Sequence, residues 1–73
     1  MDVSYKKLWI MLIERDMKKK DLQAATKLSA STMSKLNNGL NIQTDVLVRI
    51  CRVLDCDIGD IMEVLPAGTD VDL

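Results

Sequence analysis

Apolar residues recur at helical spacing near the start of the chain. Five of them follow one another at steps of three, one, three and one: Tyr5, Leu8, Trp9, Leu12 and Ile13. Residues at this spacing share one face of an α-helix, so the pattern predicts an amphipathic helix over residues 4–16, with Ser4 as its N-cap. Ile10 breaks the pattern, because at about 100° per residue it projects about 140° away from the core face.

Four further segments show helical periodicity, at residues 18–26, 30–38, 45–54 and 58–63. Ser29 precedes the third helix and Gly39 follows it, and these residue types are preferred at helix N-caps and C-terminal ends. Thr44 and Asp57 are the N-caps predicted for the fourth and fifth helices. We expect a single core cluster, formed by Trp9, Leu12, Leu22, Met33, Leu36, Leu47, Ile50 and Leu54.

Regular structure is expected to end at residues 66–68, Pro-Ala-Gly, because proline and glycine interrupt helices and strands. The pattern therefore predicts one domain over residues 1–65 and a flexible C-terminal tail over residues 66–73. Tyr5 and Trp9 are the only aromatic rings, whereas strands favour aromatic residues. The predicted fold class is all-α, a compact five-helix bundle.

The amino-acid composition argues against enzymatic activity and against a metal site. The 73 residues include no histidine, and no activated nucleophile or paired-carboxylate site stands out, so we expect no enzymatic activity. Cys51 and Cys56 are too few for a zinc site, which needs about four ligands. A disulfide, a redox switch and a pair of reduced core thiols remain open, and the last is favoured. Asp55, Asp57 and Asp60 lack the glycine and closing glutamate of a calcium-binding loop, and helix capping explains them better.

The hydropathy pattern bears on localisation. The longest uninterrupted apolar run covers residues 8–13, which is far shorter than a membrane span. Residues 1–7 are polar and run directly into the first predicted helix, so we expect no signal peptide. These features predict a cytoplasmic protein without membrane contact. No motif in the sequence indicates a small-molecule cofactor.

The formal net charge of −1 conceals an uneven distribution. Residues 1–40 carry eight basic and four acidic side chains, a net charge of +4. Residues 41–73 carry two basic and seven acidic side chains, a net charge of −5. Such asymmetry orients a protein towards a charged partner, and the basic half favours nucleic acid as that partner.

The third predicted helix has a polar outer face. Ser31, Ser34, Lys35 and Asn38 cluster within about 100° of arc, opposite the apolar residues of the same helix. A helix with short polar side chains fits the major groove of duplex DNA and lets its backbone approach the base edges. Three consecutive lysines, residues 18–20, begin the preceding helix, where they would neutralise phosphates.

Residues 19–39 read KKDLQAATKLSASTMSKLNNG. This stretch resembles the helix-turn-helix of the phage-repressor family, of the Cro-like or XRE type. The residues that match the family pattern in register are Leu22, Ser29, Thr32, Ser34, Leu36, Asn38 and Gly39. Residues 45–62, DVLVRICRVLDCDIGDIM, resemble the end of the same domain, so the resemblance covers residues 4–63.

The resemblance implies a lambda-repressor-like DNA-binding domain whose third helix enters the major groove of double-stranded DNA. It places four residues at the base edges: Ala30, Ser31, Ser34 and Lys35. It assigns the phosphate contacts to Lys19 and Asn38, with Lys18 or Lys20 in support. By the same resemblance we expect a sequence-specific transcriptional regulator that acts as a repressor and binds DNA as a homodimer.

Three residues depart from the family pattern. Lys19 replaces the glutamine that opens the second helix, and Gln23 replaces a small alanine inside it. Lys27 replaces the glycine of the turn. That glycine often has positive φ, which costs any other residue on the order of 1 kcal/mol. These departures predict a wider turn or an altered function.

One other function remains open from the sequence. The acidic second half also suits a protein-interaction module on the same fold, such as an antitoxin, an anti-repressor or a subunit of a larger regulator. Two sets of apolar residues are candidates for self-association. The first is Ile10 with Met11 on the first helix, and the second lies at the carboxyl end: Val64, Leu65, Val71 and Leu73.

Overall fold

The apolar periodicity produces five helices. The computed structural model describes residues 3–66, with helices α1 (Lys6–Glu14), α2 (Lys19–Thr26), α3 (Ala30–Asn37), α4 (Thr44–Leu54) and α5 (Ile58–Ile61). Each helix begins within two residues of its predicted start, and the all-α five-helix class is confirmed. No helix in residues 3–66 is long and apolar enough to cross a membrane. The predicted tail lies outside the described residues, apart from Pro66.

All five helices contribute side chains to one apolar core. Its buried members are Tyr5, Leu8, Leu12, Leu22, Leu28, Met33, Leu36, Ile42, Leu47, Ile50, Cys51, Leu54 and Ile61. Seven of the eight predicted core residues are among them, and Trp9 is partly buried against their edge. The 3.6-residue period therefore identifies most of the buried positions, since side chains three and four residues apart share one side of a helix.

Ile13 is an error in the predicted core face. Its side chain is 73 % exposed, whereas Leu8 and Leu12 are buried. Ile13 lies about 100° further around α1 than Leu12. It is in the last turn of the helix and outside the face, with Leu8 and Leu12, that packs against the core. Ile10 is 47 % exposed, as the periodicity predicts.

Short polar side chains define two helix starts. The Ser29 hydroxyl accepts a hydrogen bond from the Thr32 backbone N–H at 3.2 Å, so Ser29 is the N-cap of α3, as predicted. Asp57 caps α5 by accepting from the Ile58 N–H at 2.8 Å, and the Asp60 carboxylate accepts from the Asp57 N–H at 2.9 Å. Two of the three clustered aspartates thus satisfy backbone donors that a helix start leaves free.

Two predicted N-caps are wrong. Tyr5 occupies the N-cap position of α1, and Gln43 that of α4, so Thr44 is the first residue inside its helix. Ser4 belongs to a short extended segment, and its hydroxyl accepts from the Lys6 N–H at 3.1 Å. Ser4 is part of a paired strand, so its backbone is extended, and it lies one residue before the N-cap position of α1.

That extended segment is half of a small sheet that the sequence pattern does not predict. Strands β1 (Val3–Ser4) and β2 (Glu63–Val64) pair antiparallel, with Val3 opposite Val64. The predicted fifth helix therefore ends too late, since α5 stops at Ile61. Two-residue strands are too short to show the alternation from which a strand is inferred.

The connection from α2 to α3 turns through a left-handed residue. Lys27 has φ 58° and ψ 35°, and it ends α2 in the place of the expected glycine. The Gln23 side-chain amide donates to the Leu28 carbonyl at 3.2 Å, and the Arg49 guanidinium of α4 donates to the Thr26 carbonyl at 3.3 Å. The turn keeps the three residues, 27–29, that the sequence predicts. Gln23 and Lys27 are therefore accommodated without widening it.

Lys27→Gly is expected to raise the free energy of unfolding by about 0.5–1 kcal/mol, because glycine takes positive φ without the steric cost that a Cβ atom brings. Thermal unfolding followed by circular dichroism measures the change. Lys27→Ala is the matched control, since it removes the same charge and keeps the Cβ atom. If Lys27→Gly is no more stable than Lys27→Ala, the positive φ does not strain residue 27.

The two cysteines are free thiols in different surroundings. Cys51 is buried on α4, whereas Cys56 is half-buried in the link to α5. Burial, and after it the neighbouring Cys56 thiol and the Asp57 and Asp60 carboxylates, together raise the pKa of the Cys51 thiol to about 11. A thiol whose anion is this disfavoured is a weak nucleophile near neutral pH.

Iodoacetamide is therefore expected to alkylate Cys56 well before Cys51 in the folded protein. Only the thiolate reacts, so the Cys51 rate stays low near neutral pH and keeps rising as the pH approaches its pKa of about 11. Peptide mass spectrometry over time gives both rates. Denaturant is the control, since it should equalise the two rates; equal rates in the folded protein would contradict the difference in environment.

Candidate nucleic-acid interface

Helix α3 separates its buried and exposed residues cleanly. Met33 and Leu36 lie in the core, so the opposite face of the helix points outwards. The four residues predicted to read bases are all exposed: Ala30, Ser31, Ser34 and Lys35. The structure thus brings all four onto one helix, with small side chains before the longer Lys35. A helix of this shape presents its backbone close to whatever surface it docks against.

Hydrogen bonds close both ends of α3. At its start the Ser29 hydroxyl lies 3.0 Å from the Ser31 hydroxyl, in addition to capping the helix. At its end the Asn38 side-chain amide donates to the Ser34 carbonyl at 2.8 Å, and Gly39 follows with φ 65°. Asn38 is exposed, so one side of its amide closes the helix while the group faces solvent.

The three consecutive lysines lie at the start of α2, and all three are exposed. The Asp21 carboxylate accepts from the Lys18 backbone N–H at 2.8 Å and closes the first turn of the helix. The Lys19 ammonium reaches the end of α3, where it donates to the Asn37 side-chain oxygen at 2.7 Å. The predicted phosphate-binding lysines and the end of the polar helix therefore share one region of the surface.

The structure adds residues that the sequence argument does not single out. Asn37 is the first, and its only sequence signal is its place beside Asn38. Asn41 and Gln43, in the link from α3 to α4, line a shallow hollow with Lys35 and Thr32. Their signal is a run of polar amides just after the polar helix. These amides extend the hydrogen-bonding surface around Lys35.

Two short helices joined by a three-residue turn, with the second exposing a polar face, define a helix-turn-helix DNA-binding domain. A family model, the Cro/C1-type HTH DNA-binding domain, matches residues 7–67. The chain belongs to this family, which confirms the resemblance drawn from residues 19–39.

One solved structure is closely similar. It is a crystal structure of the transcriptional regulator VanUg, form II, which superposes with a TM-score of 0.87 at 52 % sequence identity. The similarity covers 89 % of this chain and 87 % of that one. No curated protein matches the chain.

Proposed function

We propose that this protein is a sequence-specific transcriptional regulator that reads double-stranded DNA with residues 30–38. The observation that carries the proposal is the division of α3 into a buried apolar face and an exposed polar one. Membership of a DNA-binding family and the similarity to a solved transcriptional regulator support it.

Helix α3 lies in the major groove with four residues at the base edges: Ala30, Ser31, Ser34 and Lys35. The alanine and serines bring the helix backbone near the bases. Each serine hydroxyl donates or accepts a hydrogen bond, so it adapts to more than one base. Lys35 donates to the O6 and N7 acceptors of a guanine, a contact that discriminates against other bases.

The phosphates on either side are bound by Lys18, Lys19, Lys20 and Asn38. The lysines stand at the start of α2, where a helix-turn-helix crosses the DNA backbone. Each lysine that neutralises a phosphate releases a counterion, so affinity falls as the salt concentration rises. The acidic residues between positions 45 and 63 are exposed, and their negative charge repels phosphates.

Binding to DNA in this way is sufficient for a cytoplasmic protein to repress transcription. A protein seated on a promoter excludes other proteins from the same DNA, and it needs neither a catalytic site nor a cofactor for that. The sign of regulation is measured with a reporter gene placed behind a selected binding site. Lower reporter output in the presence of the protein supports a repressor, and higher output supports an activator.

Selection of bound duplexes from a random pool tests the proposed function. We expect enrichment of one short sequence, and we expect that enrichment to disappear in the Ser31→Asp, Ser34→Asp variant, whose new carboxylates would repel phosphates. Arg52→Glu, at an exposed position of α4, is the control for surface charge, because it lowers the net charge by two, as the double variant does. Absence of duplex binding even at low salt would overturn the proposal in favour of a protein-interaction module.

We propose further that residues 1–65 are the binding unit and that two copies bind together. One small helix-turn-helix contacts few base pairs, and a two-fold dimer doubles them. The carboxyl end is the proposed interface: Val64 is 80 % exposed and Leu65 is 40 % exposed, while Val71 and Leu73 lie outside the described residues. Ile10 with the half-buried Met11 is the other candidate surface.

Sedimentation equilibrium of the full chain, of Val64→Asp and of Ile10→Asp separates these possibilities. A dimer that is lost in Val64→Asp supports the carboxyl-end interface. A dimer lost only in Ile10→Asp moves the interface to α1. A full chain that stays monomeric both alone and on DNA overturns the homodimer.

A further inference from the structure

Three helices meet at the ammonium group of Lys19. This residue opens α2, and its Nζ lies 4.4 Å from the centroid of the Trp9 ring of α1. The same Nζ is 2.7 Å from the side-chain oxygen of Asn37, the last residue of α3. A cation over an indole face is attracted by the negative potential of the ring. Trp9 of α1 and Asn37 of α3 therefore hold the ammonium group of Lys19, although Lys19 itself is exposed.

This restraint bears on what Lys19 can bind. A lysine carries its charge on a flexible four-carbon stem, and it loses considerable rotamer freedom when it grips a phosphate. The Trp9 ring and Asn37 already restrict the rotamers of Lys19 before any partner binds. An ammonium has three N–H donors, and Asn37 takes one of them. Donors remain for a phosphate oxygen, and the side-chain N–H groups of Asn37 lie beside them.

We propose that Trp9 is a positioning residue, which together with Asn37 holds Lys19 in place for one DNA phosphate, and that the Asn37 amide donates to the same phosphate. The proposal rests on the proposed function, because it assumes duplex DNA as the partner. It assigns a DNA-binding role to Trp9, at the edge of the core, and to Asn37. We refer to Trp9, Lys19 and Asn37 as the Lys19 clamp.

The Lys19 clamp is tested by double-mutant cycles on binding to a short duplex, at several salt concentrations. Lys19→Ala should weaken binding and lower the slope of log affinity against log salt by about one. Trp9→Leu should weaken binding by about twofold to fivefold, the range of an exposed cation–π contact, and Trp9→Phe by less. Asn37→Ala should weaken binding as well, without unfolding the protein, because Asn37 is exposed.

Non-additivity is the decisive result. If Trp9 acts through Lys19, then adding Trp9→Leu to Lys19→Ala should weaken binding no further. Adding Asn37→Ala to Lys19→Ala should weaken binding by less than Asn37→Ala does alone, because only the direct contact of Asn37 with the phosphate is then lost. Lys20→Ala is the matched control, because this neighbouring lysine should combine additively with Trp9→Leu. Additive effects of Lys19→Ala with both other changes would overturn the Lys19 clamp while leaving the proposed function intact. The Asn37→Ala cycle decides the question if Trp9→Leu unfolds.

The chemical shifts of the Lys19 side-chain protons separate this inference from the proposed function. In the free protein the Lys19 side-chain protons should be shifted upfield by the Trp9 ring current, and the shift should vanish in Trp9→Leu. Normal Lys19 proton shifts in the wild type would overturn the Lys19 clamp whatever the DNA result. Upfield shifts in a protein that binds no duplex would overturn the proposed function and, with it, the phosphate role of the clamp.

Discussion

Leu36→Ala is expected to lower the free energy of unfolding by about 2–5 kcal/mol through cavity formation. Leu36 is only 1 % exposed, and it lies on α3, the helix that carries the predicted DNA-reading face. Truncation removes buried apolar atoms, and the neighbouring helices cannot close fully around the space. Small domains are stable by about 5–15 kcal/mol, so this loss can unfold a considerable fraction of the molecules.

Denaturant titration followed by circular dichroism measures the loss. Ile13→Ala is the matched control, because it removes the same number of carbon atoms from a side chain that is 73 % exposed. Its effect should stay within about 0.5 kcal/mol. Similar losses in the two variants would show that Leu36 does not anchor α3 in the core.

Lys35→Ala is expected to weaken binding to the selected duplex by about 1–3 kcal/mol if Lys35 contacts a guanine. The loss should be largest for sequences that carry that guanine, because discrimination between bases disappears with the donor. Arg52→Ala is the charge-matched control. Arg52 is exposed on α4, beside Cys56 and Asp57 and away from α3.

Fluorescence anisotropy on the selected duplex and on a scrambled one distinguishes the two possible contacts. A loss confined to the selected duplex supports the guanine contact. Equal loss on both, with a salt slope lower by about one, assigns Lys35 to a phosphate instead. No loss on either duplex, with α3 still folded, would remove Lys35 from the interface.

The polar face of α3 is largely determined by local sequence. Ser29 and Gly39 mark the ends of the helix, and the step between Met33 and Leu36 sets its inward side. These signals act within one or two turns, so they can be read without knowledge of the fold. The exposure of the four predicted base-reading residues follows from them directly, whereas their contact with DNA stays a prediction.

Only the tertiary structure shows what surrounds Lys19. Trp9 and Asn37 lie on different helices, and nothing in the spacing of these residues indicates that their side chains meet at one ammonium group. The pairing of β1 with β2 joins segments from opposite ends of the described chain in the same way. The exposure of Ile13 likewise depends on which part of α1 the other helices leave uncovered. Periodicity reports which side of a helix is apolar, but not which partner covers it, because that depends on contacts between residues far apart in sequence.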